Sequence, residues 1–214
     1  MCPSPLSESD PDRLPRPKLF CLGDSLTFGY GVSPRERWLT LTTESSGWQL
    51  MNRGVCGDTT GGMLVRLQGL LETERRPRAI MLMGGANDIF YSGSDQGARS
   101  NMGAMIQQLL TAGIPTLVGI PMPIVPDWHP EEWGAVVDFD RAAGLLEAYG
   151  DWLRAYCRVF HVKMADFPPL FLDDGGHVRR ELYLDGLHPS PEGHRRMAEL
   201  LRGLLEDWRS ELSL

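Results

Sequence analysis

No apolar run in this sequence approaches the roughly 18 residues that a membrane-crossing helix needs, so no membrane span is expected. No block of lysine and arginine occurs either. The 21 basic side chains are outnumbered by 28 acidic ones, and a formal net charge of −7 offers little to nucleic-acid phosphates or anionic membranes. Cysteine is scarce, and Cys2, Cys21, Cys56 and Cys157 share none of the short spacings of a metal finger. They read as free thiols in a reducing compartment, three of them buried. Phosphate-cradling loops are missing too: GxGxxG does not follow the first expected strand, and GxxxxGK[ST] is found nowhere. A nucleotide- or flavin-binding reading is thereby left without a motif. The first 17 residues carry acids and prolines where a secretory signal would carry a basic and then an apolar stretch. They read as an irregular tail before a single domain over residues 18–214, in a cytoplasmic protein.

What the sequence does contain is an alternation. Short apolar runs at 18–22, 48–55, 79–83, 116–120 and 160–164 have the character of buried strands. Between them, stretches near 35–45, from 59 onward, 98–112 and 139–157 carry apolar residues at helical spacing. In the last of these Phe139, Ala143, Leu146, Tyr149, Leu153 and Tyr156 share a side. A final helix starts at Ser190-Pro191, a capping residue followed by proline at the first helical position. Strand–helix alternation of this kind predicts an α/β fold: a five-stranded parallel sheet in a three-layer α/β/α, flavodoxin-like sandwich.

Four polar clusters fall just past expected strands or before the last helix. Gly23-Asp24-Ser25-Leu26 can present a serine hydroxyl at the sheet edge, or simply cap a helix. Gly57-Asp58-Thr59-Thr60 reads as a turn, or as a backbone amide that can approach an oxyanion because no Cβ intervenes. In Gly84-Gly85-Ala86-Asn87-Asp88 the Asn87 amide is either a second donor or an ordinary turn residue. Asp185-Gly186-Leu187-His188 places a carboxylate where it can hold Nδ1–H of a histidine and leave Nε2 as a base; a capping loop would read the same. Together they supply a nucleophile, two oxyanion donors, a base and its orienting carboxylate on one sheet edge.

In this combination the chain resembles the SGNH hydrolases, also called the GDSL family of esterases and lipases. The resemblance rests on GDSLTFGYG at 23–31, NRGVCGDTT at 52–60, GGAND at 84–88 and DGLHPS at 185–190. It implies Ser25 as nucleophile and His188 as base, oriented by Asp185. The oxyanion hole it implies is formed by the amides of Ser25 and Gly57 and the Asn87 side chain. It further implies an acyl-enzyme route for carboxylic esters or thioesters, with no metal and no organic cofactor. Short to medium acyl chains are expected because the sequence has no long apolar lid and its 121–138 stretch is broken by prolines and acids. A carbohydrate O-acetylesterase is the alternative within the family. The wording of the second and fourth blocks is most similar to small bacterial arylesterases, thioesterases and lysophospholipases.

Ile89, Phe90, Tyr91 and Trp128 are expected to line the substrate cleft. The 121–138 stretch, with Ile124, Val125, Trp128 and Trp133, reads equally as a pocket wall or a core cover. Asp127, His129, Glu131 and Glu132 lack paired metal-ligand spacing and read as a solvated loop, and Asp173, Asp174 and His177 as a turn. His161 is expected in a strand within the core, and His194 on the exposed face of the last helix. Asp24, Asp58 and Asp88 are expected to make structural hydrogen bonds.

Overall fold

The computed structural model describes residues 16–72 and 77–212, so all but the last two residues of the expected N-terminal tail, Cys2 included, lie outside the described residues. Five parallel strands, β1 (Lys18–Gly23), β2 (Gln49–Gly54), β3 (Ala79–Met83), β4 (Thr116–Ile120) and β5 (Lys163–Asp166), pair in the order β2-β1-β3-β4-β5. Every residue of β3 and β4 is buried, as helices on both faces of a parallel sheet require.

The period-two geometry of the strands divides the core. Leu19, Cys21, Met81 and Leu117 face one side, where α2 (Trp38–Ser45) and α8 (Pro191–Glu211) pack. Leu22, Ile80, Leu82 and Val118 face the other, against α3 (Thr60–Glu72), α5 (Gln96–Thr111) and α7 (Phe139–Val159). Short helices α1 (Ser25–Phe28), α4 (Ala86–Ser92) and α6 (Glu131–Gly134) sit in the loops at the carboxyl edge. The expected α/β three-layer sandwich is therefore present.

The Ser190 cap is as expected: its Oγ accepts from the Gly193 amide at 3.3 Å, with Pro191 at the first helical position. The buried stripe of α8 includes Met197, Leu201, Leu205 and Trp208, and the Trp208 ring stacks on Trp48 with centroids 5.7 Å apart.

Four expectations need correction. β5 begins at Lys163, because α7 runs on to Val159 and ends in a left-handed turn. His161 adopts φ +54°, with amide bonds from His161 to Arg158 O and from Val162 to Cys157 O closing the helix. His161 is consequently an exposed turn residue and not a core strand histidine. His194 is fully buried, because it shares the stripe of Met197 and Leu201. Its Nδ1 accepts from the Trp38 amide at 3.4 Å. Cys21 and Cys157 are buried, but Cys56 is exposed on the loop after β2.

Candidate active site

At the carboxyl edge the chain leaves β1 toward β2 on one side and returns to β3 on the other. This is the switch point at which open α/β sheets hold their ligands. Ser25 sits there as the first residue of α1. Asp24 caps that short helix, its Oδ1 accepting from the Leu26 amide at 2.9 Å. The tight approach explains Gly23: a Cβ there would lie 2.3 Å from Met83 O.

The loop before α8 brings His188 back across the sheet edge. His188 Nδ1 lies 2.7 Å from Asp185 Oδ2, and His188 Nε2 lies 3.0 Å from Ser25 Oγ. Asp185 Oδ1 also accepts from the amides of Leu187 and His188. Burial alone would raise the Asp185 carboxyl, but the His188 ring and these amides outweigh it and hold the pKa below the ordinary value. An ionised Asp185 keeps the proton on Nδ1, so Nε2 is free to accept from Ser25. The ring packs against two aromatic side chains, Tyr30 at 4.6 Å and Trp133, in a T-shaped arrangement, at 5.9 Å between centroids. Gly186 takes φ +79°, and a Cβ there would come within 1.8 Å of Trp128 O. Only glycine lets this loop press against residues 125–128, where Val125 N donates to Gly186 O.

The loops after β2 and β3 meet beside Ser25. Gly57 has φ +77°, and Asn87 Nδ2 donates to Asp58 O at 2.8 Å. That bond uses one of the two amide hydrogens and leaves the other for a ligand. Asp88 accepts from Thr60 N at 2.8 Å and Thr60 Oγ1 at 2.6 Å, and Asp58 pairs with Arg66. All three aspartates thus make the structural hydrogen bonds expected of them. Asp24 differs in one respect: its Oδ2 is buried with no hydrogen-bond partner among the described residues. Burial pushes the carboxyl up to about 7, with Asp58 and Asp88 adding to the rise and the Leu26 amide and His188 opposing it.

A cavity of about 320 Å³ opens on Ser25 and His188. Its walls include Tyr30, Phe90, Tyr91, Trp133, Val137 and Phe139, and no Asp, Glu, Lys or Arg lines it among the described residues. Phe90 and Tyr91 stand where the sequence put them. Ile89 does not, because its position on α4 turns it into the core. Trp128 is not in the wall either; it packs on the α2/α8 side of the core, with the Arg180 guanidinium over its ring. The 121–138 stretch plays both suggested parts: Ile124 and Val125 cover core, whereas Trp133, Val136 and Val137 line the cavity. Val136 and Val137 belong to no motif that marks them from sequence, and Cys56 joins them at the cavity. No three His, Cys, Asp or Glu side chains cluster for a metal ion among the described residues. Asp127 pairs with Arg180, and His129 stacks on Phe139 at 4.1 Å.

Residues 21–196 match the model of the GDSL-like lipase/acylhydrolase family. The chain is 26% identical over 187 residues to the esterase TesA of Pseudomonas aeruginosa, covering 85% of this chain and 84% of that protein. Among solved structures, the aryl esterase of M. smegmatis has a TM-score of 0.74 at 19% identity, covering 89% of this chain and 99% of that one. A carbohydrate acetylesterase family member from Sinorhizobium meliloti has a TM-score of 0.74 at 19% identity, covering 92% and 100%. Identities this low speak to the shared fold.

Proposed function

This chain belongs to the GDSL-like lipase/acylhydrolase family and is an ester-bond hydrolase, and from that premise we propose that Ser25, His188 and Asp185 form its catalytic triad. The observation that carries the proposal is the unbroken relay from Asp185 Oδ2 through the His188 ring to Ser25 Oγ, at 2.7 and 3.0 Å. Ser25 Oγ attacks the ester carbonyl while Nε2 takes its proton. The imidazolium, steadied by Asp185, then protonates the departing alcohol and leaves an acyl group on Ser25. Water, deprotonated by the same Nε2, releases the acid and restores the serine. The amides of Ser25 and Gly57 and the second hydrogen of the Asn87 amide receive the oxyanion as the carbonyl becomes tetrahedral.

The uncharged, aromatic-lined cavity supports uncharged esters or thioesters of short to medium acyl chains, with Phe90, Tyr91, Trp133 and Val137 as substrate contacts. A sugar O-acetyl ester is not favoured, because that wall has few side chains that could bond to sugar hydroxyls. A fluorophosphonate probe should label Ser25 alone, and Ser25→Ala should abolish hydrolysis of p-nitrophenyl butyrate. Labelling of another serine, or wild-type turnover by Ser25→Ala, would remove the assignment.

A further inference from the structure

One side chain outside all four motifs touches the nucleophile strand and the oxyanion loop together. Arg66 stands on the second turn of α3 and points back toward the sheet edge. Its Nη2 donates to Gly23 O at 2.8 Å, two residues before Ser25. Its Nη1 donates to Arg53 O in β2, and Nε donates to Asp58 Oδ2 at 2.9 Å. Nη2 makes a second bond to the same carboxylate oxygen.

Asp58 matters because of where it lies. It directly follows Gly57, and its carbonyl accepts the Asn87 side-chain amide. One guanidinium therefore ties the end of β1 to the loop that carries Gly57 and accepts the Asn87 amide. The planar fork is what makes this possible, since its donors diverge at fixed angles toward three separate segments. A lysine ammonium has no such fork. Gly62 admits the Asp58 carboxylate to this place, because a Cβ at Gly62 would fall 1.9 Å from Asp58 Oδ1.

We propose that Arg66 is a positioning residue for ester hydrolysis, holding the Gly57–Asp58 loop in register with the end of β1 so that the oxyanion donors converge on the carbonyl at Ser25. The proposal rests on the reading of Ser25 as nucleophile. Displacement of a catalytic group by about 1 Å can cost on the order of 10²-fold in rate. Loss of Arg66 should therefore be felt in the transition state and not in substrate binding.

The test compares Arg66→Ala and Arg66→Lys with wild type on p-nitrophenyl butyrate, normalised to active sites titrated with a fluorophosphonate. Both variants should lose about 10- to 100-fold in kcat with KM within about twofold. The Arg66 side chain is 28% exposed, so a small cation can reach its place from solvent. Methylguanidinium at non-denaturing concentration should restore kcat of Arg66→Ala, whereas methylammonium should not. Wild-type kcat per titrated site in either variant, whatever its melting temperature, would overturn the proposal; so would equal rescue by both cations. If Arg66→Ala does not fold, Arg66→Lys decides by its kcat alone. Failure of the wild-type enzyme to label at Ser25 would instead remove the triad assignment, so the two failures are distinct.

Discussion

Replacing Asp24 by asparagine should change how stability depends on pH. The fold holds this carboxyl in a site where one oxygen caps α1 and the other has no partner among the described residues. Moving its pKa from 3.8 to about 7 makes the folded state roughly a thousandfold better at retaining the proton, which corresponds to about 4 kcal/mol. An unfolded chain ionises Asp24 near pH 4, while the folded chain keeps it protonated until about pH 7. The stability linked to that proton is therefore complete below about pH 4, falls as pH rises toward about 7, and stays lost above it. Asparagine keeps the oxygen that accepts from Leu26 and does not titrate. Urea unfolding of both proteins at steps from pH 4 to pH 8 would measure the difference, with other titrating groups largely cancelling. The Asp24→Asn variant should gain on wild type by up to about 4 kcal/mol across that range. His188, Asp58 and Asp88 also act on this carboxyl, so the curve should move if any of them is altered. A free-energy difference that is the same at pH 4 and pH 8 would refute the argument.

His194 should act with the opposite sign. Burial, then the nearby Arg37 charge, lowers its pKa from 6.5 to about 4, with His188 adding and Glu36 opposing. The unfolded chain takes up a proton below about pH 6.5 that the folded chain refuses, so stability falls as pH drops toward 4. His194→Asn should flatten that acid limb by on the order of 3 kcal/mol in the same unfolding series, and an unchanged limb would count against it. Asn87→Ala should lower kcat by on the order of 10²–10³ with KM nearly constant, because the bond it offers strengthens only as the oxyanion forms. Wild-type kcat per folded molecule would reduce Asn87 to a tie between loops.

Where the sequence could be read and where it could not follows from the physics of each element. β3 and β4 are legible to the residue because they are short, almost wholly apolar runs, buried on both faces. β5 is not, because its KMAD sequence is half-exposed at the sheet edge while the apolar residues before it end a helix. The four motifs mark a site whose geometry they do not contain: nothing in the sequence shows that Ile89 turns inward or that Trp133 rather than Trp128 reaches His188. His194 could have been found, since positions 194, 197, 201, 205 and 208 form one helical stripe. Arg66 could not, because its partners are backbone carbonyls and a loop carboxylate that only the folded sheet edge brings together.

The relay spans 163 residues of chain, and this bears on the order in which the protein is made. Ser25 leaves the ribosome long before His188, which emerges only when all five strands and helices α1 to α7 are already outside. Until then Ser25 is an ordinary alcohol. In the folded chain the loop that carries His188, the proposed base, is held between the Tyr183–Pro189 bridge and the Ser190 cap of α8. A chain cut short before that point carries the proposed nucleophile without its proposed base. If Ser25 and His188 act as proposed, hydrolysis is thus withheld from every copy that stops before His188.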